Sequence, residues 1–313
     1  MAHYLVTGGA GFIGSHLAAA LAARGDRVRV LDDLSAGRLE NLEGLGTGIE
    51  FLRGSITDPA ACRAAVAGVA GIFHEAAQVS VPRSIEDPLA SYATNVHGTL
   101  QLLEAARAAG VGRVVFAASS AAYGDSPTLP KVESMLPQPL SPYAAGKLAG
   151  EQLLRAYASS YGMRTVSLRY FNVFGPRQAD DSPYTGVIAI FVRALLEGRA
   201  PVIYGDGLQS RDFTYVSNVV EANLAAMQRE LGEPGAVINV GGGERITLRE
   251  LYDALSAALG VRIDVRHAPA RAGDVRDSLA SIEKARALLG YEPRVSWREG
   301  LRRTVDWYRE KLR

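Results

Sequence analysis

Tyr143 and Lys147 stand four residues apart in the run Ser141-Pro142-Tyr143-Ala144-Ala145-Gly146-Lys147. Serine before proline is a helix start: serine caps the free amides and proline fits the first helical position. The phenol and the amine then share one helical face. A free tyrosine, with a pKa of about 10, is a poor base at neutral pH. A neighbouring ammonium favours the phenolate, which can take a proton from a substrate hydroxyl. With 13 Tyr and four Lys in 313 residues, random placement gives about 0.2 such pairs, so the spacing carries weight as a motif. A second chemical element precedes it. The apolar run Arg113–Ala117 leads into Ala118-Ser119-Ser120. A hydroxyl at the carboxyl end of a parallel strand points into the crevice where such sheets bind ligands. Ser119 is the first candidate to align the reacting oxygen, with Ser120 as the alternative. A turn role fits either serine equally well.

A third element binds rather than reacts. Thr7-Gly8-Gly9-Ala10-Gly11-Phe12-Ile13-Gly14 follows a strand-like run and opens a helical pattern. Gly8, Gly11 and Gly14 recur every three residues. They allow a tight turn, close approach of backbone to a ligand, and close packing of helix on strand. The helix N-terminus offers free amides and a positive dipole end to a pyrophosphate. The next strand ends in Asp32, 18 residues past Gly14. An acidic side chain there accepts hydrogen bonds from ribose hydroxyls and repels a 2′-phosphate, which favours NAD over NADP.

The elements that must position these groups alternate. Strands are expected at Tyr4–Thr7, Arg27–Leu31, Glu50–Leu52, Gly71–His74, Arg113–Ala117 and Thr165–Arg169. Helices are expected at Phe12–Arg24, Pro59–Ala67, Ser84–Ala109 and Tyr143–Tyr161. Short apolar runs between helical stretches predict an α/β fold with a doubly wound parallel sheet. The second half is less regular. It suggests a smaller mixed α/β C-terminal domain, with strands at Val202–Tyr204, Phe213–Val216, Val237–Val240 and Ile263–Val265. Its helices are expected at Phe191–Glu197, Val219–Arg229, Leu248–Leu259, Ile282–Leu289 and Trp297–Lys311. The expected division is residues 1–172 for the cofactor and 173–313 for the substrate, with a segment near 213–245 crossing back.

Composition excludes several classes. The net charge of +1 argues against nucleic acid as a partner. With 48% hydrophobic residues a real core is affordable, and no apolar run nears the ~20 residues of a membrane span. Met1-Ala2-His3 runs straight into a strand-like stretch, so no secretory signal is expected. The single cysteine, Cys62, excludes an internal disulfide and a cysteine zinc site and suits a reducing cytoplasm. Five scattered His give no metal spacing, and no metal is expected.

Together these motifs resemble the extended short-chain dehydrogenase/reductase superfamily, and within it most resemble the UDP-hexose 4-epimerases. Phe73-His74-Glu75-Ala76-Ala77, Asn95, Arg169-Tyr170-Phe171-Asn172, Arg211-Asp212-Phe213 and Arg271-Ala272-Gly273-Asp274 carry the likeness over nearly the whole chain. It implies a Rossmann-type first domain. Ser119, Tyr143 and Lys147 would be catalytic. Phe12 and Ile13 would follow the pyrophosphate turn, Asp32, Asp33 and Ser35 would surround the adenosine ribose, and Ser55-Ile56 would lie beside adenine. Many relatives have Asp where Ser55 stands. Ala76, Ala77 and Gln78 would line the cofactor groove, Asn95 would support it, and Tyr170 and Val173 would flank the nicotinamide. Ser120 and Asn172 would meet the sugar or diphosphate. Val187 and Ile188 would border the nucleotide, and Tyr204 the uracil. Arg211 and Arg271 would neutralise the diphosphate, and Asp274 would hold the uridine ribose.

The implied reaction inverts C4 of a UDP-hexose through a transient 4-keto sugar, with NAD recycled. A 4,6-dehydratase or decarboxylase would need a carboxylate just after the catalytic hydroxyl. Ser120-Ala121 offers none. A UDP-glucuronic acid 4-epimerase and a non-catalytic NAD-binding regulator are the other readings. The latter often loses the Tyr/Lys pair kept here. Ser278, four residues past Asp274, would be a small gate at the sugar 2-substituent that admits N-acetylated substrates. Relatives are often dimers through a four-helix bundle, here Ser84–Ala109 and Tyr143–Tyr161. The small residues Ala105, Ala106 and Ala109 would permit such packing, or equally burial within one chain.

Overall fold

The computed structural model describes residues 1–46, 48–179, 186–269 and 275–311. Seven parallel strands form the central sheet: β1 (His3–Thr7), β2 (Arg27–Asp32), β3 (Ile49–Arg53), β4 (Gly71–His74), β5 (Arg113–Ser119), β6 (Arg164–Tyr170) and, from far along the chain, β11 (Ala236–Val240). Their order across the sheet is β3-β2-β1-β4-β5-β6-β11. The sheet is therefore doubly wound and of Rossmann type, with its order reversing between β1 and β4.

Alternation along the strands sorts side chains into two cores. Leu5 of β1 and Val114 and Phe116 of β5 face α2 (Pro59–Val66), α5 (Thr99–Ala108) and α6 (Pro142–Tyr161), packing on Cys62, Leu102, Leu103 and Leu154. Val6 and Val115 face the opposite side, where α1 (Phe12–Ala23) and α8 (Val216–Gln228) supply Leu17, Leu21, Val219 and Met227. Successive residues on opposite faces, both buried, are what a parallel sheet covered on both sides requires. A third core lies in the second lobe. It joins α7 (Val187–Leu196), α9 (Leu248–Leu259) and α11 (Trp297–Lys311) through Phe191, Leu255, Trp297 and Tyr308.

The single helix expected over Ser84–Ala109 is broken. Ser80 caps α3 (Val81–Glu86), and Asp87 caps a new start at Pro88 for α4 (Pro88–Tyr92). Proline removes a helical amide and disfavours helix at the residue before it. A π-helical turn, Ala93–Gly98, then leads into α5. Ala105 and Ala106 are buried within the chain, where α5 packs on α2.

The second lobe uses short pairings that periodicity does not show. Val173–Phe174 (β7) pairs with Thr214–Tyr215 (β10), and Ser210–Asp212 (β9) pairs antiparallel with Arg245–Thr247 (β12). The strand expected at Ile263–Val265 lies three residues later, where Arg266–Ala268 (β13) pairs with Val202–Tyr204 (β8). Ile263 and Val265 pack on the third core instead. Helix α10 (Glu283–Leu289) returns to the side of β11. No described helix is long and apolar enough to cross a membrane.

Candidate active site

The glycine turn is packed to contact distance. Gly8 has φ +67°, and a Cβ on it would lie 2.7 Å from the Ala76 amide. A Cβ on Gly14 would lie 2.2 Å from the Gly8 carbonyl oxygen. Helix α1 begins directly after Gly11, with no side-chain cap and no acidic residue in its first turn. Its positive end is thus left to an outside anion, which fits a pyrophosphate. Phe12 and Ile13 form that first turn.

Asp32 closes the floor. One carboxylate oxygen accepts from the Ala10 amide at 3.0 Å, the other from the Leu34 amide at 2.8 Å. Each oxygen keeps lone pairs for ribose hydroxyls. Burial pushes its pKa up, while the two amides and the adjacent Asp33 act in opposite directions. Asp33 accepts from both the amide and the hydroxyl of Ser35, forming an exposed turn. Ser55, just after β3, accepts from Thr57, and Ile56 is buried against Gly98.

The loop after β4 is fixed by a chain of hydrogen bonds that the sequence did not reveal. The Ala76 amide donates to Thr7 Oγ1 at 3.3 Å, and Thr7 Oγ1 meets His74 Nδ1 at 2.8 Å. His74 Nε2 meets Thr99 Oγ1 at 3.0 Å, and Thr99 donates to the Asn95 carbonyl at 2.8 Å. This order assigns the proton of a neutral imidazole to Nε2. Burial and the charge of Lys147 hold His74 neutral, pushing its pKa down to about 3. Asn95 sits in the π-helical turn. Its side chain accepts from the Gln78 amide at 2.9 Å and donates to the Gln78 carbonyl at 3.0 Å. Ala76, Ala77 and Gln78 therefore form a braced wall. No spacing marks Thr7, His74 and Thr99 for this task, because only the fold brings their polar atoms together.

Ser141 caps α6 by accepting from the Ala144 amide, and Pro142 opens the helix. Ser84 accepts from the Tyr143 amide at 3.1 Å, anchoring that turn to α3. Ser119, the last residue of β5, accepts from the Ala121 amide, and its hydroxyl is near enough to the Tyr143 phenol to ease its ionisation. Ser120 begins the short 3-10 turn beyond it. Lys147 donates to the Ala117 carbonyl at 2.8 Å, with its ammonium 4.9 Å from the centre of the Phe116 ring. The structure thus brings Ser119, Tyr143 and Lys147 to one place.

Its electrostatics differ from the simple expectation of a phenol made acidic by its neighbour. Burial pushes Tyr143 above its ordinary value, and the nearby Ser119 hydroxyl only partly offsets this. The ammonium commits one of its three protons to β5. It is bound to Ala117, and burial lowers its pKa while Glu75 and Glu151 raise it.

Tyr170 ends β6. Its hydroxyl lies 2.8 Å from Glu75 Oε1 and accepts from Asn223 at 2.7 Å. Val173 begins β7. Asn172, between them, has φ +31°, and its amide donates to the Asp212 carbonyl at 2.9 Å and to Ser278 Oγ at 3.2 Å. Asp212 accepts from the amides of Gly242, Gly243 and Ala280, and burial pushes its pKa up to about 6. Arg211 donates through Nη1 to the carbonyls of Ser210 and Arg276. Tyr204 closes β8, while Val187 and Ile188 open α7, Ile188 within the third core. Arg271 and Asp274 lie outside the described residues. Among the described residues no group of His, Cys, Asp and Glu could hold a metal ion.

The chain is similar to known proteins over nearly its whole length. A UDP-glucose 4-epimerase of Mycolicibacterium smegmatis is 43% identical, with 98% of each chain covered. A UDP-N-acetylglucosamine 4-epimerase structure from Methanobrevibacter ruminantium, in complex with UDP-N-acetylmuramic acid, superposes with TM-score 0.95 at 39% identity, covering 99% of each chain. A Thermus thermophilus UDP-glucose 4-epimerase complex with NAD gives 0.91 at 42%, covering 98% of this chain and 99% of that one. The model of the NAD dependent epimerase/dehydratase family matches residues 4–241, and the chain belongs to that family.

Proposed function

We propose that the protein inverts C4 of UDP-hexoses, interconverting UDP-glucose with UDP-galactose and UDP-N-acetylglucosamine with UDP-N-acetylgalactosamine. The observation that carries this reading is the phenol of Tyr143, beside the Ser119 hydroxyl and one turn from Lys147, at the sheet edge that also carries the glycine turn. NAD, when bound, takes a hydride from C4 and later returns it. Gly8, Gly11, Phe12, Ile13 and Gly14 would hold its pyrophosphate, Asp32 its ribose, and Ala76–Gln78 would wall its groove.

The chain's own residues handle the proton. Ser119 orients the reacting oxygen, Tyr143 takes the hydroxyl proton, and the Lys147 ammonium stabilises the phenolate that results. The second lobe holds the nucleotide: Arg211 and Arg271 on the diphosphate, Asp274 on the uridine ribose, Tyr204 beside the uracil. Binding energy remote from C4 keeps the keto sugar in place while it turns over its other face. Residues 1–172 would form the cofactor half and 173–313 the substrate half, with α8 and β11 packed on the first. The partner is a second copy of the chain, meeting through α4–α6. Exposed Leu89 (82%) and Tyr92 (47%) leave an apolar face there.

A panel of UDP-sugars, read by product identity, tests the proposal. Galacto products from UDP-glucose and from UDP-N-acetylglucosamine are expected. No turnover of any UDP-sugar by protein that retains NAD would favour a regulator instead. Ser278, only 9% exposed, is small and faces Asn172. Ser278→Tyr should remove activity on the N-acetylated sugar selectively, and equal loss on both sugars would sink the gate.

A further inference from the structure

Glu75 is a charged residue directly after a fully buried strand, β4. Its hydrogen-bond partner among the described residues is Tyr170, at 2.8 Å, and Tyr170 is held in turn by Asn223 of α8 at 2.7 Å. Three elements thus fix one carboxylate at the edge of the sheet where the catalytic pair stands. The other carboxylate acting on Lys147, Glu151, is differently placed. It is bound through both oxygens to Arg169 at 2.8 Å, so its charge is already neutralised. Glu75 meets a phenol instead. Burial pushes its pKa up to about 7, with the Tyr170 hydrogen bond and Lys147 opposing this. Its negative charge is therefore present over the alkaline range in which the ammonium, itself lowered to about 8, gives up its proton.

We propose that Glu75, fixed by Tyr170 and Asn223, is a positioning residue that keeps Lys147 charged, so that the ammonium is present when Tyr143 takes its proton. The inference rests on the Tyr143–Lys147 pair as the proton-transfer unit. His74 pairs with Phe116 across β4 and β5, which brings Glu75 to the level of Ala117, whose carbonyl holds the ammonium. The groups that face Lys147 are therefore Glu75 and His74 from the β4 end, Tyr143 and Glu151 one turn to either side on its own helix, and the Phe116 ring and Ala117 carbonyl from β5. His74 is neutral, and Glu151 is paired with Arg169. Glu75 is therefore the counter-charge in this set. The direction of its effect agrees: Glu75 acts to raise the pKa of Lys147, against the burial that lowers it.

The experiment reads the ammonium directly. The chain has only four lysines, at 131, 147, 284 and 311. Lysine labelled with ¹³C at Cε gives few signals, and Lys147→Arg assigns the one that matters. In Glu75→Gln the Lys147 titration midpoint should fall by about one pH unit, the usual effect of losing a close opposite charge. The alkaline limb of the kcat profile should move to lower pH with it. Tyr170→Phe keeps the carboxylate but removes the hydrogen bond that favours its ionised form. It should move the midpoint in the same direction by less, and it serves if Glu75→Gln fails to fold. An unchanged Lys147 midpoint in a folded variant of either kind would overturn the proposal. So would a lowered melting temperature and kcat with the alkaline limb unmoved, the mark of a merely structural role. The underlying pair fails separately: full turnover by Tyr143→Phe would sink it without touching the lysine titration.

Discussion

The two sides of the crevice are built by opposite means. On the sheet side, the glycine turn and the catalytic pair are set by neighbours in sequence, with helix contacts from Thr99, Asn95 and Ser84 bracing them. Gly8 to Gly14 make one turn, and Tyr143 and Lys147 one face of a helix that packs on β5. On the second-lobe side, single residues are held across long stretches of chain. Asn172 reaches Ser278 over 106 residues, and Asp212 gathers amides from the 242–243 turn and from Ala280. The first side is local chemistry on a regular scaffold. The second is irregular backbone stabilised by buried polar contacts. A site that holds one unchanging cofactor suits the first, and a site that must let a sugar turn over suits the second.

The largest effect expected separates chemistry from binding on the sheet side. Tyr143→Phe should lower kcat by about 10²–10⁴, the usual contribution of a positioned acid–base group, with little change in the KM for the UDP-sugar. NAD content should stay unchanged, since the glycine turn is untouched. Steady-state kinetics and the absorbance of released cofactor check both. A large rise in KM at constant kcat would make Tyr143 a binding residue.

Next comes the turn itself. Gly14→Ala places a methyl 2.2 Å from the Gly8 carbonyl, backbone against backbone, with no flexible side chain to yield. Overpacking of this kind costs about 1–3 kcal/mol. Protein that folds should lose NAD on purification, and its melting temperature should fall. Retained NAD in folded Gly14→Ala would mean that the turn relaxes, weakening the contrast with the second lobe.

The same contrast explains what could be read from sequence. The glycine triplet, the Ser-Pro helix start and the alternating strands were legible because each is a local pattern of turn, cap or periodicity. Pro88 broke a helix that the apolar pattern alone would have carried through, and Asp87-Pro88 was the signal for it. The strand at Arg266–Ala268 was displaced from Ile263–Val265 because apolar residues marked burial in the third core, not sheet pairing. Glu75 stands in a motif whose spacing assigns it no task, since only the fold brings Tyr170 and Asn223 to it. Asp212 is similar. A carboxylate serving three amides of distant glycine and alanine residues leaves no trace in spacing. The acidity of Tyr143 departs from the sequence expectation for a related reason: the helix puts an ammonium nearby, but burial by other elements raises the phenol, which spacing does not show.

The smallest of these effects tests the irregular side at a residue with positive φ. Asn172 has φ +31°, a region where asparagine is enriched and alanine is not. Its amide also carries two hydrogen bonds, to the Asp212 carbonyl and Ser278 Oγ. Backbone shape and side-chain contact are therefore both possible reasons for asparagine, and two substitutions separate them. Asn172→Gly keeps the conformation and removes the amide. Asn172→Ala removes the amide and adds backbone strain. If the amide matters, both should raise the KM for the UDP-sugar about tenfold, the scale of one lost hydrogen bond of ~1.4 kcal/mol. NAD retention should be normal in both, because nothing on the sheet side depends on this residue's side chain. Alanine should additionally lower the melting temperature. Normal KM in the glycine variant would show that Asn172 is kept for its φ alone, and the second lobe would then hold its substrate by shape rather than by this polar contact.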